Sequence, residues 1–250
     1  MAGFTSLLIA AAVAVTPAPA PTDKPVSIVL VHGAFVDGSG WQGVHDLLIA
    51  RGYEVLVVQN PTITLAGDVA ATEQVIAMAK KPVVLVGHSY GGAVVTAAGT
   101  NPKVKSIVYI AAFAPDTGES VAALNDAPVA EGEVKAPLLP PQDGFLIVDP
   151  AKFAAAFAPD VDPATTRFMA VAQVPWGLGA VTAKADRIGW KLKPSYFMIT
   201  TKDRMVLPSG QRRMAKRAGA QVVEIESSHA VMLAHPAEVA AFIEKAADAK

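Results

Sequence analysis

Six short aliphatic runs, none with a polar face, constrain this chain more than any other feature. They are VSIVLVH (26–32), YEVLVVQ (53–59), PVVLVGH (82–88), KSIVYIAAF (105–113), SYFMITT (195–201) and AQVVEIE (220–226). A strand with one wet face alternates apolar and polar residues, whereas a strand covered on both sides reads as a continuous hydrophobic run. Between the runs lie helical patterns near 41–51, 66–80, 90–100, 208–218 and 236–248, with Pro208 and Pro236 suited to first helical turns. A proline there forfeits no hydrogen bond, because the first-turn N–H has no partner inside the helix. Strand and helix in alternation predict an α/β fold, a doubly wound and mostly parallel sheet. At 250 residues, with 52% apolar and 17% charged side chains, the chain suits one such domain with a large core.

The alternation fails between Pro115 and Lys191, where APLLPPQDG, GFLIVDP and alanine-rich pieces stand instead. That interval is too long for a plain loop, and we read residues 116–190 as a helical cap inserted after the fourth strand. Residues 25–115 and 191–250 then form the core of the sheet and its helices. Ligands of such sheets bind beyond the carboxyl ends of the strands, so a cap there would wall a pocket. Residues 1–24 differ from the rest: an apolar stretch from Leu7 to Val15 precedes Ala18-Pro-Ala20, in the manner of a secretory signal. The stretch is too short to span a bilayer. No Lys or Arg precedes it, and Pro21 would follow the cut. Export to the periplasm or medium is the expectation, a cytoplasmic location the alternative.

The formal net charge is −1 with Lys and Arg dispersed, which gives no footprint for nucleic acid or for an anionic membrane surface. The absence of cysteine excludes disulfides, thiolate catalysis and cysteine-held metals. The histidines show no HExxH or comparable ligand spacing, so neither metal nor cofactor is expected.

The third run ends in Gly87-His88-Ser89-Tyr90-Gly91, with a helical pattern directly after it. G-x-S-x-G between a strand and a helix is a nucleophile elbow, a sharp turn that lifts the serine hydroxyl to a helix N-terminus. A serine needs a base, and the base an acid to orient it. Of the five histidines, His32 and His88 sit at strand ends as loop supports, His45 on an amphipathic helix, and His235 before Pro236 at a helix start. His229, on the loop after the last strand, is the candidate base. Chain order for this elbow is serine, acid, histidine, which favours Asp203 after the fifth strand over the runner-up Asp116 after the fourth. Gly33 opens a loop after the first strand, and the backbone N–H groups of Ala34 and Tyr90 are the candidate oxyanion donors. Phe35, Trp176, Met205 and Met232, with the Tyr90 side chain, are candidate pocket residues by their nearness to these motifs or their place in the cap.

Through VLVHGAFVDGSGW, VLVGHSYGG, YIAAFAPDTGES, TTKDRMVLP and SSHAVMLAHPAEV the chain resembles the α/β-hydrolases, within them the group of plant methyl esterases, hydroxynitrile lyases and their bacterial relatives. The resemblance runs from Val26 to the C-terminus and is weakest in the cap. It implies Ser89, Asp203 and His229 as triad and Ala34 and Tyr90 as oxyanion donors. The lyases of this group carry a threonine after the strand-end histidine and a lysine after the catalytic one; here those positions are Gly33 and Ala230. Hydrolysis of a small carboxylic ester through an acyl-enzyme is therefore the expected activity. Lyase, C–C cleaving or cofactor-free oxygenase chemistry is the alternative, and a non-catalytic binding or signalling protein is an alternative of another class.

Overall fold

A computed structural model describes residues 24–249, so the leader expected over 1–24 lies outside it but for Lys24. Six strands form one all-parallel sheet: β1 (Ser27–Val31), β2 (Glu54–Val58), β3 (Val83–His88), β4 (Val104–Ile110), β7 (Ser195–Thr200) and β8 (Gln221–Ile225). Their order across the sheet is β2-β1-β3-β4-β7-β8. The remaining strands, β5 (Phe145–Leu146) and β6 (Trp176–Gly177), pair antiparallel with each other.

The continuous apolar runs are explained by which side each residue serves. Val29, Val31, Leu85, Ile107, Tyr109, Phe197 and Ile199 join one core. Their alternate neighbours Ile28, Leu30, Val84, Val86, Val108, Ile110, Tyr196 and Met198 join the other. The first core is completed by α2 (Leu65–Met78), α3 (Gly91–Ala98) and α8 (Pro208–Arg217), the second by α1 (Gln42–Ala50) and α10 (Pro236–Asp248). Pro208 and Pro236 do occupy the first turns of α8 and α10. One expectation fails in its detail. β8 is the outer edge strand, and its Val222 and Val223 are 47% and 38% exposed instead of covered on both sides.

Between β4 and β7 stand four short helices, α4 (Val121–Asn125), α5 (Phe153–Phe157), α6 (Pro163–Val171) and α7 (Leu178–Val181), together with the β5–β6 pair. Proline-rich connections kept that pair out of the sequence reading, since two-residue strands carry no periodicity. Ser120 caps α4 and Asp162 caps α6, each side chain accepting backbone N–H groups of the first turn. No helix among the described residues is long and apolar enough to cross a membrane.

The topology fixes where a site can form. β1 lies between β2 and β3, so successive connections leave it in opposite directions and a crevice opens beyond its carboxyl end. Val31 of β1 is in register with Gly87 of β3, which sets the loop after β1 beside the elbow after β3. Thr200 of β7 is likewise in register with Ile225 of β8, so the loops carrying Asp203 and His229 leave the sheet side by side.

Candidate active site

Ser89 follows β3 with φ of +54°, a left-handed conformation that costs a residue with a Cβ on the order of 1 kcal/mol or more. The turn is held from both sides. Ser89 N–H donates to Ile110 O at 3.2 Å, and Ser89 O accepts from Gly92 N and Phe113 N, each at 3.0 Å. The chain passes so tightly that a Cβ on Gly91 would lie 2.6 Å from His32 O. A Cβ on Gly33 would lie 2.6 Å from Ser89 Cβ, so the loop after β1 rests directly against the serine.

That loop is locked by His32 and Asn60. Asn60 N–H donates to His32 Nε2 at 3.0 Å, which leaves the proton on Nδ1 to reach Gly33 O at 2.8 Å. Burial lowers the His32 pKa, against the bond to Gly33 that raises it, and the ring stays neutral. Neither Ala34 N–H nor Tyr90 N–H finds an acceptor among the described residues. Two free amides beside the candidate nucleophile serine can receive a developing oxyanion.

Asp203 is wholly engaged. Its Oδ2 accepts from His229 Nδ1 at 2.8 Å, Thr200 Oγ1 at 2.8 Å and Gln211 Nε2 at 3.0 Å. Its Oδ1 accepts the N–H groups of Met205 and Val206 at 2.8 and 2.9 Å. His229 is fully buried, and its Nε2 has no hydrogen-bond partner, so no bond to Ser89 Oγ is made here. Catalytic hydrogen bonds commonly tighten only once substrate is bound.

The His229 ring sits between two others: the His88 ring at 4.5 Å and the Phe157 ring, edge to face, at 4.8 Å. His88 Nε2–H donates to His229 O at 2.9 Å and anchors the loop. Burial first, then the nearby His229, holds the His88 pKa well below that of a free imidazole, so it remains neutral. From the segment after α5, Asp160 grips the same loop, accepting from Ser227 Oγ and Ser228 N at 2.8 Å and from Ser228 Oγ. Burial raises its pKa, but the bonds from Ser228 and Ser227 outweigh that and leave it below the ordinary value.

Ser89 opens on a cavity of about 430 Å³ whose walls include Phe35, Phe113, Leu146, Trp176, Val181 and Met205. The structure thus brings Phe35, Trp176 and Met205 to the serine. Met232 it does not: that side chain is buried with Trp41 and Val44 in the core on the opposite side of the sheet, because the short helix α9 (Val231–Ala234) turns it inward. The Tyr90 side chain is also absent from the cavity wall; its hydroxyl donates to the buried Asp68 while its ring meets Trp176 at 5.2 Å. Burial pushes the Asp68 pKa up, and the bonds from Tyr90 and from Thr62 N–H only partly offset it. Asp116, the runner-up acid, instead pairs with Lys191. His45 and His235 serve as a surface residue beside Asp46 and as the residue before α10.

Sequence reasoning missed Gln211, Asp160 and Asp68. Only Thr200, at the strand end before Asp203, stood where a signal could be read. The other three reach the site from 8, 67 and 22 residues away, through tertiary contact alone.

Residues 28–242 match the family model described as the alpha/beta hydrolase family. Over 115 residues the chain is 36% identical to a carbendazim-hydrolysing esterase of Nocardioides sp. (strain SG-4G), a stretch covering 39% of this chain and 46% of that one. The chain thus spans less than half the length of that relative. It is 26% identical to the alpha/beta hydrolase nvfD of Aspergillus novofumigatus (strain IBT 16806), over 90% of this chain and 97% of that one. Among solved structures, polyneuridine aldehyde esterase superposes with a TM-score of 0.76 at 21% identity, covering 91% of this chain and all of that one. With the model spanning nearly all of the described sheet, the chain belongs to the alpha/beta hydrolase family.

Proposed function

We propose that this hydrolase cleaves small carboxylic esters through a covalent acyl-enzyme, with Ser89, His229 and Asp203 as its triad. The observation that carries this reading is the buried bond of 2.8 Å from His229 Nδ1 to an Asp203 that four further donors hold still. Bound at Nδ1, the imidazole has Nε2 free as a base, which is the tautomer proton abstraction from a serine requires.

Ser89 Oγ attacks the ester carbonyl as His229 Nε2 takes its proton, and the oxyanion collects on Ala34 N–H and Tyr90 N–H. Asp203 stabilises the imidazolium without taking the proton. The tetrahedral intermediate collapses as His229 returns that proton to the departing alcohol oxygen. Water, deprotonated by the same ring, then releases the acid. The apolar cavity suits a hydrocarbon acyl group, and the esterase names of two relatives favour esters over other acyl compounds. Residues 1–24 carry a leader pattern that supports export, testable by sequencing the N-terminus of the protein recovered from the medium or periplasm.

The test is turnover of p-nitrophenyl esters of increasing acyl length by the parent and by Ser89→Ala. Expected is a loss of about 10⁴-fold or more in kcat/KM in the variant. If no ester is turned over yet a fluorophosphonate still labels Ser89, the nucleophile stands and the substrate class is wrong. Absence of both would favour a binding role on a hydrolase scaffold.

A further inference from the structure

Phe35 takes part in two cavities. On one side it walls the chamber that holds Ser89; on the other it walls a groove of about 210 Å³ with Val36, Gly40, Phe168, Met169 and Leu233. The groove runs between the loop after β1, which offers Ala34 N–H, and α9, which begins directly after His229 and Ala230. Helix α6 forms its outer wall, where the exposed Phe168 side chain stands beside Met169. Phe35 itself is fixed as a partition. Its φ is +66°, its N–H donates to Val174 O at 3.2 Å, and its ring meets Trp176 edge to face at 5.7 Å.

We infer that this groove is the subsite for the alcohol half of the ester, so that the substrate is an ester with an apolar group on both sides of the carbonyl. The inference rests on the serine esterase reading above. The chemistry then assigns the two halves. His229 must protonate the departing alcohol oxygen, so the alcohol lies toward the loop that continues into Leu233. The acyl half stays bonded to Ser89 through the intermediate and so occupies the cavity that Ser89 lines. Phe35, one residue beyond an oxyanion donor, separates the two.

Esters of one acid yield the same acyl-enzyme, so differences along a series of alcohols arise before the alcohol departs. The experiment measures acid release from butyrate esters of methyl to hexyl alcohol. It is repeated in Ala172→Trp, a substitution at an exposed position on the groove wall. A methylene fully withdrawn from water contributes about fourfold, and in a groove open on one side about twofold. The parent should therefore prefer hexyl over methyl butyrate by about thirtyfold in kcat/KM, and Ala172→Trp by no more than about threefold. In methyl esters of longer acids, the acyl-length optimum should be the same in both proteins. A flat alcohol profile in an active parent, or a steep one surviving in Ala172→Trp, would overturn the subsite and leave the esterase reading standing. A moved acyl optimum would assign the groove to the acyl side and likewise refute it. A parent inert toward every ester would remove the esterase reading itself, and the subsite with it.

Discussion

Gln211 has no part in the chemistry as drawn, yet it ties together the end of β7 and the loop bearing Asp203. Its Nε2 donates to Asp203 Oδ2 at 3.0 Å, to Thr200 Oγ1 at 3.1 Å and to Val206 O at 2.6 Å, and its Oε1 accepts Thr200 N–H at 3.2 Å. In Gln211→Met the shape is nearly kept and all four bonds go. Thr200 and Val206 are 0% and 2% exposed, so an N–H and a carbonyl are left without water or partner. Each such orphan costs about 1–3 kcal/mol, and together, with some relief from the apolar side chain, about 3 kcal/mol. For a chain of this length that is a fall of roughly 6–12 °C in Tm. Asp203 keeps Thr200 Oγ1 and two backbone donors, so the triad is loosened and not dismantled; kcat should fall about tenfold with KM little changed. Differential scanning calorimetry beside steady-state kinetics reads both effects. A variant that melts within 2 °C of the parent, a bound taken as roughly 1 kcal/mol, and keeps its kcat would show that Asp203 is held without Gln211.

Asp203→Asn should lower kcat by about 10³–10⁴-fold, by putting an amide N–H where His229 Nδ1 donates, whereas Asp116→Asn, which only loses Lys191, should stay within about twofold; equal losses in ester turnover would reverse the choice of acid. Met205→Ala should shift the preferred acyl length upward with little change in Tm, because Met205 walls the serine cavity. Met232→Ala should do the opposite, costing about 2–5 kcal/mol in denaturant unfolding with the acyl preference unmoved. Asp68 has a raised pKa in the folded protein, so the folded state binds the proton more tightly, and this residue's contribution to stability falls as pH rises from about 3.9, the unfolded value, through the folded one. Asp68→Asn can accept Thr62 N–H and donate to Tyr90 Oη, so it should remove that slope while keeping the fold. Identical Tm–pH curves for parent and variant would show that Asp68 is not the source.

Much of the architecture was legible because parallel strands covered on both sides leave a local mark. Val84 and Val86 face one core and Val83 and Leu85 the other, so every position in VVLV is apolar. β8 carries the same signature and yet lies at the sheet edge, since periodicity reports residue type and not the number of neighbouring strands. The elbow was legible for a related reason: its strain is local, and only small residues such as Gly91 let the turn close beneath Ser89.

Met232 marks where that logic stops. Met205 and Met232 lie two and three residues from Asp203 and His229, and nothing in either pentapeptide separates them. The turn of α9 sends one into the core while the loop after β7 leaves the other at the cavity. The sequence by itself determined the fold class, the strand ends at which chemistry could gather, and the residue types able to perform it, because these depend on periodicity and on turns of a few residues. Only the tertiary structure decided which polar groups immobilise Asp203 and the His229 loop, and that Phe35 divides two cavities. Those relations join residues such as Asp160 and Ser228, whose distance along the chain leaves no local pattern.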